Sequence, residues 1–433
     1  MHIFRTGNFF EEYQPMTSAM IASISEQLDS SPTPRHLVGY ISALLEKAKF
    51  KDFSNREITN PSQGFVVNAG SLIAWRTGKK TAESGFRIIG AHSDSPCLRV
   101  KSNPDESKFG FNTLRVEIYG GPLLNSWLDR DLGIAGHAVL KTGSTRLFAS
   151  QHPVARISQL AIHLDREVNE RGLILDKQMH LSPAWSTSKN GKSFLGWVAE
   201  QCKVKPSEIV QIEAQLFDTT RASLLGADES LFASGRLDNQ ASCWAAISAL
   251  TQVSQSSASQ VVALFDHEEV GSESATGAAS PILEHSLERI AASQKISRVD
   301  FLQSLKKSSC ISADNAHAVH HNYPDRHDLA NAPLINHGPA LKLNSNQRYA
   351  SSAESAGMFI RACEKAKVQH QVFVSRNNIS CGTTIGPITA TRLGIDTVDI
   401  GIPQLSMHSA REVCGVSDLI SMQKVLAAYF KYL

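Results

Sequence analysis

The chain has 433 residues, of which 42% are hydrophobic and 19% are charged, a composition typical of a folded globular protein. Lysines and arginines number 43 against 41 aspartates and glutamates, and a net charge this close to zero argues against a basic protein that binds nucleic acid. No run approaches about 18 consecutive apolar residues, and residues 1–20 contain no apolar core of a signal peptide, so we expect a cytoplasmic protein with no membrane partner.

The first 100 residues carry the pattern of helices followed by strands. Apolar residues recur at helical spacing through residues 17–49, with a break at the two prolines of residues 31–34. Short strand-like runs follow at 65–67 and 72–75. The next run, 86–91, is apolar on both sides, which is typical of a strand buried on both faces in a parallel sheet.

The character of the chain changes between residues 98 and 230. Short alternating runs such as 114–119 and 209–214, separated by polar and glycine-rich turns, predict half-buried strands. Beyond this segment we expect a helix at 239–250, strands at 261–265, 371–374 and 397–400, and a final helix from residue 417. The simplest architecture is an α/β domain of residues 1–97 and 231–433, interrupted by a β-rich insertion of residues 98–230.

Histidine, aspartate and glutamate, residue types that can bind metals, follow several of the predicted strands at their carboxyl ends. They are His92 and Asp94 after residues 86–91, Asp266, Glu268 and Glu269 after 261–265, Asp314 after 310–313, and His408 after 399–403. Ligand sites in open α/β sheets form outside the carboxyl ends of the strands. These side chains are therefore candidates for one shared site, although they lie far apart in the sequence.

The adjacent glutamates, Glu268 and Glu269, are the most informative of these residues. Two neighbouring carboxylates after a buried strand are costly unless a cation neutralises them. A bound metal would meet that need if one glutamate were its ligand and the other the general base for a metal-bound water. The alternative is that both glutamates lie in a solvated loop. The motif His-Glu-x-x-His is not completed, because position 271 is glycine, so the single-zinc helix site is excluded.

Three further interpretations stay open at this point. Asp94 would orient the imidazole of His92 and fix its tautomer, unless the histidine is satisfied by a neighbouring turn. Asp238 precedes a predicted helix, where an N-cap is the favoured interpretation and a metal-bridging carboxylate is the alternative. The histidine-rich segment 314–327 suggests a separate metal site or, as we favour, loop histidines beside a single ligand, Asp314.

Other functional motifs are missing from the sequence. The seven cysteines contain no Cys-x-x-Cys pair, so we expect reduced thiols and neither a disulfide framework nor a zinc finger. Neither Gly-Lys dipeptide has the preceding glycine that a phosphate-binding loop requires. Residues 271–275 do not complete the Gly-x-Ser-x-Gly turn of a serine hydrolase.

Six motifs occur in one order along the chain. They are Ala-His-Ser-Asp-Ser-Pro at 91–96, Ser-Gly-Arg-Leu-Asp-Asn at 234–239, Asp-His-Glu-Glu-Val-Gly-Ser at 266–272, Asp-Asn-Ala-His-Ala-Val-His at 314–320, Asn-Gln-Arg-Tyr-Ala at 346–350 and Pro-Gln-Leu-Ser-Met-His-Ser at 403–409. Together they resemble the M18 family of metallo-aminopeptidases, the aspartyl aminopeptidase family. Each motif alone is weakly specific, but the presence of all six in this order makes the resemblance strong. The resemblance covers nearly the whole chain and implies a zinc-peptidase-type mixed sheet flanked by helices, with the insertion serving as a dimerisation domain.

The resemblance also implies a site with two zinc ions. By this likeness His92 and Asp314 hold one zinc, Glu269 and His408 hold the other, and Asp238 bridges the two. The same likeness makes Glu268 the general base and Asp94 the residue that orients His92. Co²⁺ or Mn²⁺ would also suit such a set of histidines and carboxylates.

For the substrate, the resemblance implies a peptide with a free N-terminus, preferably beginning with Asp or Glu. Lys342 matches a basic residue that faces the acidic side chain, and His317 and Tyr349 are further candidates for the pocket. His163 matches a histidine that reaches a neighbouring subunit's site and binds the substrate carbonyl. Family members assemble as dodecamers built from dimers. The stretch around Lys342 departs from the expected pattern, so an aminopeptidase that prefers neutral residues is an alternative.

Two rival functions remain at this stage. Another dinuclear metal hydrolase, such as an amidohydrolase, could use the same ligand set, and only an aminopeptidase would require a free amine on its substrate. A scaffold protein that keeps the fold without catalysis is the second rival. The presence of every expected ligand and of the base argues against it.

Overall fold

A computed structural model describes residues 14–59, 62–187, 189 and 191–433 of the chain. The expectation that the N-terminus lacks a signal peptide falls mostly on residues 1–13, which lie outside the described residues. In the part of the chain that the structure describes, no helix has the length and apolar content needed to span a bilayer.

The helices and strands alternate through most of the chain. The helices are α1 Gln14–Ser30, α2 Pro34–Lys47, α3 Thr81–Ser84, α4 Val168–Arg171, α5 Phe194–Cys202, α6 Leu237–Gln252, α7 Ile282–Ser293, α8 Arg298–Leu305, α9 Ala353–Ala366, α10 Ile385–Leu393 and α11 Val416–Tyr432. The strands are β1 Lys51–Asp52, β2 Gln63–Asn68, β3 Ser71–Arg76, β4 Phe86–His92, β5 Cys97–Lys108, β6 Phe111–Tyr119, β7 Leu132–Leu140, β8 Thr145–Ala149, β9 Ala184–Ser186, β10 Ile209–Asp218, β11 Ser223–Leu225, β12 Leu231–Ser234, β13 Ser259–Phe265, β14 Ser309–Ala313, β15 Ala316–His317, β16 Ala340–Leu343, β17 Gln371–Val374, β18 Asp396–Gly401, β19 Pro403–Leu405 and β20 Glu412–Gly415.

The predicted break in the N-terminal helical region has a clear local cause. Thr33 caps α2, since its hydroxyl oxygen accepts a hydrogen bond from the backbone N–H of His36 at 3.4 Å. Pro34 occupies the first helical position, where a missing N–H costs nothing. The residues predicted to line the inner face, such as Leu37 and Ile41, are fully buried. The elements predicted elsewhere are confirmed within a few residues, but the helix α5 inside the β-rich segment was not predicted.

The main sheet is mixed and places four parallel strands at its centre. Within the described residues its order is β1-β2-β3-β13-β4-β14-β18-β16-β17, and β13, β4, β14 and β18 run parallel to one another. Every residue of β13 and β14 is buried, as the apolar run 261–265 predicts for β13. The carboxyl ends of these four strands therefore meet at one edge of the sheet.

Helices cover both faces of this sheet. On one face α1, α2, α6, α9 and α11 enclose a core that includes Ile89, Val262 and Ile311. On the other face α7, α8 and α10 pack over residues such as Ile88 and Cys310. The predicted α/β class, a mixed sheet flanked by helices, is confirmed.

The β-rich segment forms a second, wholly antiparallel sheet. Its order is β8-β7-β10-β5-β6-β9, and all six strands lie between Cys97 and Asp218. A third sheet, β11-β12-β20-β19-β15, joins the end of that segment to the strands around residues 316 and 403–415. The division at residues 97/98 and 230/231, and the dimerisation role, stay predictions.

Candidate metal centre

The proposed metal ligands converge from two sheets. His92 is the last residue of β4, Asp314 directly follows β14, and Glu269 lies in a short 3-10 turn after β13. Because β13, β4 and β14 are neighbours in the main sheet, their ends bring these side chains together. Asp238 and His408 approach from the third sheet, at the start of α6 and in the turn between β19 and β20.

The ligand atoms fall into two groups that share Asp238. Nε2 of His92 lies 3.4 Å from Oδ1 of Asp238 and 3.4 Å from Oδ1 of Asp314. Nε2 of His408 lies 3.7 Å from Oδ2 of Asp238 and 3.4 Å from Oε2 of Glu269. Within each group the ligand atoms all lie within 4.8 Å of one another. Asp238 therefore turns one carboxylate oxygen toward each group.

The N-cap interpretation of Asp238 is wrong. Arg236 occupies the N-cap position of α6, with no side-chain capping bond, and Asp238 has non-helical backbone angles (φ −81°, ψ 106°). The first turn of the helix is irregular, so the carboxylate of Asp238 faces the two histidines instead of the helix amides.

Carboxylates outnumber cations around His92. Burial, reinforced by the charges of Asp314, Asp94 and Asp238, raises the pKa of Glu268 to about 8. Burial together with the charge of Asp238 also raises the pKa of Glu269 well above its ordinary value. Although burial opposes it, the surrounding carboxylates raise the pKa of His92. Positive charge supplied by a bound cation would offset the mutual repulsion of these carboxylates and favour their ionised forms.

The residues present fit a divalent metal. Among the described residues, Oδ1 of Asp238 and Oε1 of Glu269 are buried and accept no hydrogen bond. Buried polar atoms without a partner are rare in folded proteins, and coordination is one explanation for them. Imidazole nitrogens and carboxylate oxygens are donors that zinc takes. The donor set and the unpartnered oxygens together point to metal ions at this place.

Asp94 contacts several groups of the candidate metal centre, whereas the sequence indicated a contact with His92 alone. Nδ1 of His92 lies 3.1 Å from the carbonyl oxygen of Asp94 and 3.3 Å from its Oδ1. A carbonyl only accepts, so Nδ1 carries a proton, and Nε2 is the nitrogen that a metal could bind. The backbone N–H groups of Glu268 and Glu269 donate to the same carboxylate at 3.1 and 3.2 Å. Tyr119 donates its hydroxyl to Oδ2 at 2.6 Å.

His408 is oriented by a backbone group of the inserted segment. Its Nδ1 donates to the carbonyl oxygen of Gly121 at 3.0 Å, which leaves Nε2 free to bind a metal. A Cβ atom on Gly121 would lie 3.5 Å from that nitrogen. Sequence reasoning missed both Gly121 and Tyr119, since no motif or spacing connects either of them to a histidine ligand.

The candidate pocket residues lie beside the His92 and Asp314 group. Nζ of Lys342 is buried and donates to Oδ2 and the carbonyl oxygen of Asp314 at 3.3 and 3.2 Å and to the carbonyl oxygen of Asn315 at 3.0 Å. Although burial opposes it, Lys342 holds the pKa of Asp314 below its ordinary value. The ring centroid of Tyr349 lies 4.9 Å from Nζ, and His317 is exposed on β15, three residues after Asp314 in the chain.

His163 and the histidines of the segment 314–327 other than His317 lie outside the two groups of ligand atoms. His163 is exposed in the short 3-10 turn Ile162–Leu164 of the inserted segment, and within the described chain no hydrogen bond or ion pair joins it to the ligands. Nε2 of His327 accepts the backbone N–H of His320 at 3.1 Å. Among the described residues, these loop histidines belong to none of the side-chain groups with metal-ligand spacing, and the interpretation of this segment as loop histidines beside a single ligand stays a prediction.

Comparisons with known proteins agree with this geometry. The family model described as "Aminopeptidase I zinc metalloprotease (M18)" matches residues 27–430. A "Probable M18 family aminopeptidase 2" of Streptomyces coelicolor is 44% identical over 413 residues, which cover 93% of this chain and 96% of that protein. A chain from the Ape4 and Nbr1 complex superposes with a TM-score of 0.91 at 34% identity, covering 97% of this chain and 87% of that one. The S. cerevisiae mApe1 dodecamer gives a TM-score of 0.83 at 27% identity, covering 98% of each chain.

Proposed function

Since the chain belongs to the M18 family and is a zinc metallo-aminopeptidase, we propose that it uses two metal ions to remove an N-terminal Asp or Glu from peptides. The observation that carries the two-metal part is the carboxylate of Asp238, whose two oxygens face separate histidines. Zinc is the metal named by the family, and Co²⁺ or Mn²⁺ would suit the same donors.

Within this proposal Glu268 is the general base. Its Oε2 lies 3.9 Å from Nε2 of His92, and its backbone N–H is held by Asp94. Bound metal would supply polarisation of the scissile carbonyl and a lowered pKa of the attacking water. Glu268 accepts the proton of that water and returns it to the leaving amine.

Replacing the base while keeping its shape tests this role. Glu268→Gln should lower turnover by about 10²–10⁴-fold, the usual contribution of a general base, with zinc content unchanged. Glu273→Gln is the matched control, because Glu273 is an exposed glutamate in the same loop. A Glu268→Gln protein that keeps its zinc and its full turnover would refute the assignment.

We assign the acidic preference to Lys342, the buried cation beside Asp314. One observation favours the alternative, a preference for neutral residues, because all three N–H groups of Lys342 are already directed at Asp314 and Asn315. Aminoacyl anilides beginning with Glu, Asp, Leu or Lys, assayed with and without chelator, separate the two. Cleavage of Asp and Glu substrates that Lys342→Met abolishes, at unchanged zinc content, would support the assignment. Chelator-sensitive cleavage of Leu substrates would replace it with the alternative.

We also propose that the chain forms dimers through residues 98–230 and assembles further into a dodecamer, the assembly that S. cerevisiae mApe1 forms. Apolar side chains in the inserted segment support an interface there, since Leu164 is 72% and Ile174 83% exposed in the single chain. His163 lies in the same surface and would act across it. Sedimentation of the wild type should give a dodecamer, and His163→Ala should lower turnover without loss of zinc. A fully active monomer would contradict both.

The cysteines support a cytoplasmic location for this enzyme. All seven are free thiols, as expected for a reducing compartment.

A further inference from the structure

Glu412 is a buried carboxylate that accepts hydrogen bonds from two separate backbone turns of the candidate metal centre. Its Oε1 accepts the backbone N–H of His408 at 2.7 Å, and its Oε2 accepts the backbone N–H of Asp238 at 3.0 Å. The side chain is only 1% exposed. One carboxylate thus holds the main chain of the bridging aspartate and of the second histidine.

The strand pairing of the third sheet creates this arrangement. Glu412 begins β20 and pairs with Ser234 at the end of β12. Asp238 lies four residues after Ser234, and His408 lies four residues before Glu412. A single side chain at this corner therefore reaches both ligand-bearing turns.

Both of these turns lack support from regular secondary structure. His408 has a positive φ of 66°, and Asp238 has non-helical backbone angles inside α6. Neither backbone N–H takes part in a helix or strand hydrogen bond, so each needs an acceptor when buried. Because both N–H groups donate to the same side chain, the two hydrogen bonds fix the turns relative to each other.

We infer that Glu412 is a positioning residue that sets the separation of the two metal sites by holding Asp238 and His408. It touches neither the proposed metals nor the substrate, and it acts through the backbone of the ligands. This inference rests on the proposed two-metal site and extends it to a residue that sequence reasoning did not select.

Glu412→Gln is the direct test, because the amide retains the shape but offers only one acceptor. Its NH₂ group must then face one of the two backbone N–H groups. Removing such a partner of a metal ligand typically costs about 10–100-fold in metal affinity, so competition with a chromophoric chelator should show a zinc affinity lower by that factor. Excess zinc should restore kcat, since Glu412 does not contact the substrate. Glu412→Asp, which keeps the charge but has a shorter reach, serves if the first variant does not fold.

Asp418→Asn is the matched control. Asp418 is also a buried carboxylate in the C-terminal region, and it accepts the backbone N–H groups of Asn336 and Gly338 at 2.6 and 2.8 Å. Its loss should lower stability but leave zinc affinity unchanged. A similar loss of zinc in this variant would overturn the inference, because it would reflect general destabilisation.

The outcomes separate the two levels of the proposal. Wild-type protein that binds two zinc ions per subunit, together with folded Glu412 variants of unchanged affinity, would overturn the role of Glu412 alone. Wild-type protein that binds fewer than two zinc ions would overturn the two-metal site and this inference with it. Two ions in the wild type and weakened, zinc-rescued variants would support both.

Discussion

Asp94→Asn should loosen the metal centre through its supports. The carboxylate of Asp94 has four partners, namely Tyr119, His92 and the backbone N–H groups of Glu268 and Glu269. The isosteric amide can keep its oxygen toward His92 and Glu268 and turn its NH₂ toward the Tyr119 hydroxyl, which can rotate to accept. The N–H of Glu269 then loses its acceptor, at a cost of about 1–3 kcal/mol for an unsatisfied buried donor.

Two further effects modify this value in opposite directions. The hydrogen bonds that remain lose their charge assistance, which costs about 1 kcal/mol each. Removing one negative charge from this group of carboxylates relieves electrostatic repulsion in the metal-free protein. Taken together with the weakened hydrogen bonds, this leaves an expected net loss of stability of about 2–3 kcal/mol in the metal-free protein. Zinc affinity has no such compensation and should fall by about 10–100-fold, because the partner of the His92 imidazole changes from a charged carboxylate to a neutral amide.

Urea unfolding of the metal-free protein and zinc competition titration measure the two effects of Asp94→Asn separately. Asp52→Asn is a suitable control, since Asp52 is exposed and its carboxylate accepts hydrogen bonds, among the described residues, from Ser54 alone. Its change in stability should stay within about 0.5 kcal/mol. Unchanged stability and unchanged zinc affinity in Asp94→Asn would refute the view that this carboxylate organises the site.

Two smaller perturbations should also be measurable. Tyr119→Phe removes the hydroxyl that donates to Asp94 but keeps the ring on which Arg99 stacks. The free energy of unfolding, measured with urea, should therefore fall by about 1–3 kcal/mol. Zinc affinity should fall less than it does in Asp94→Asn. A larger zinc defect in Tyr119→Phe would contradict this order. Burial raises the pKa of Asp418 to about 7, so its contribution to stability is fully present below about pH 4 and is lost as the pH rises toward 7. Asp418→Asn should therefore flatten the pH dependence of metal-free unfolding by up to about 4 kcal/mol over that range, and an unchanged slope would contradict the raised pKa.

Part of the centre could be predicted from the sequence because it depends on local patterns. Runs such as 86–91 and 261–265, which are apolar on both sides of a strand, are typical of burial on both faces in a covered parallel sheet. The residues just after such runs must then lie at one edge of that sheet. His92 and Glu269 were therefore candidates before any fold was known.

Asp238 shows where local reasoning fails. An aspartate before a helix is usually a cap, and only the irregular first turn of α6 redirects this carboxylate toward His92 and His408. That turn depends on the pairing of β12 with β20, whose strands are about 180 residues apart in the chain. No local pattern carries information about a contact of that range.

The sequence by itself determined the class of the fold, the positions of its most regular elements and most of the residue types that could bind a metal, because helical and strand periodicities and burial requirements are local. Only the tertiary structure decided which groups support those ligands. Tyr119 and Gly121 come from the inserted sheet, and Glu412 comes from the third sheet. Their roles arise from hydrogen bonds between segments that are distant in sequence, where direction and distance, not residue type, select the partner.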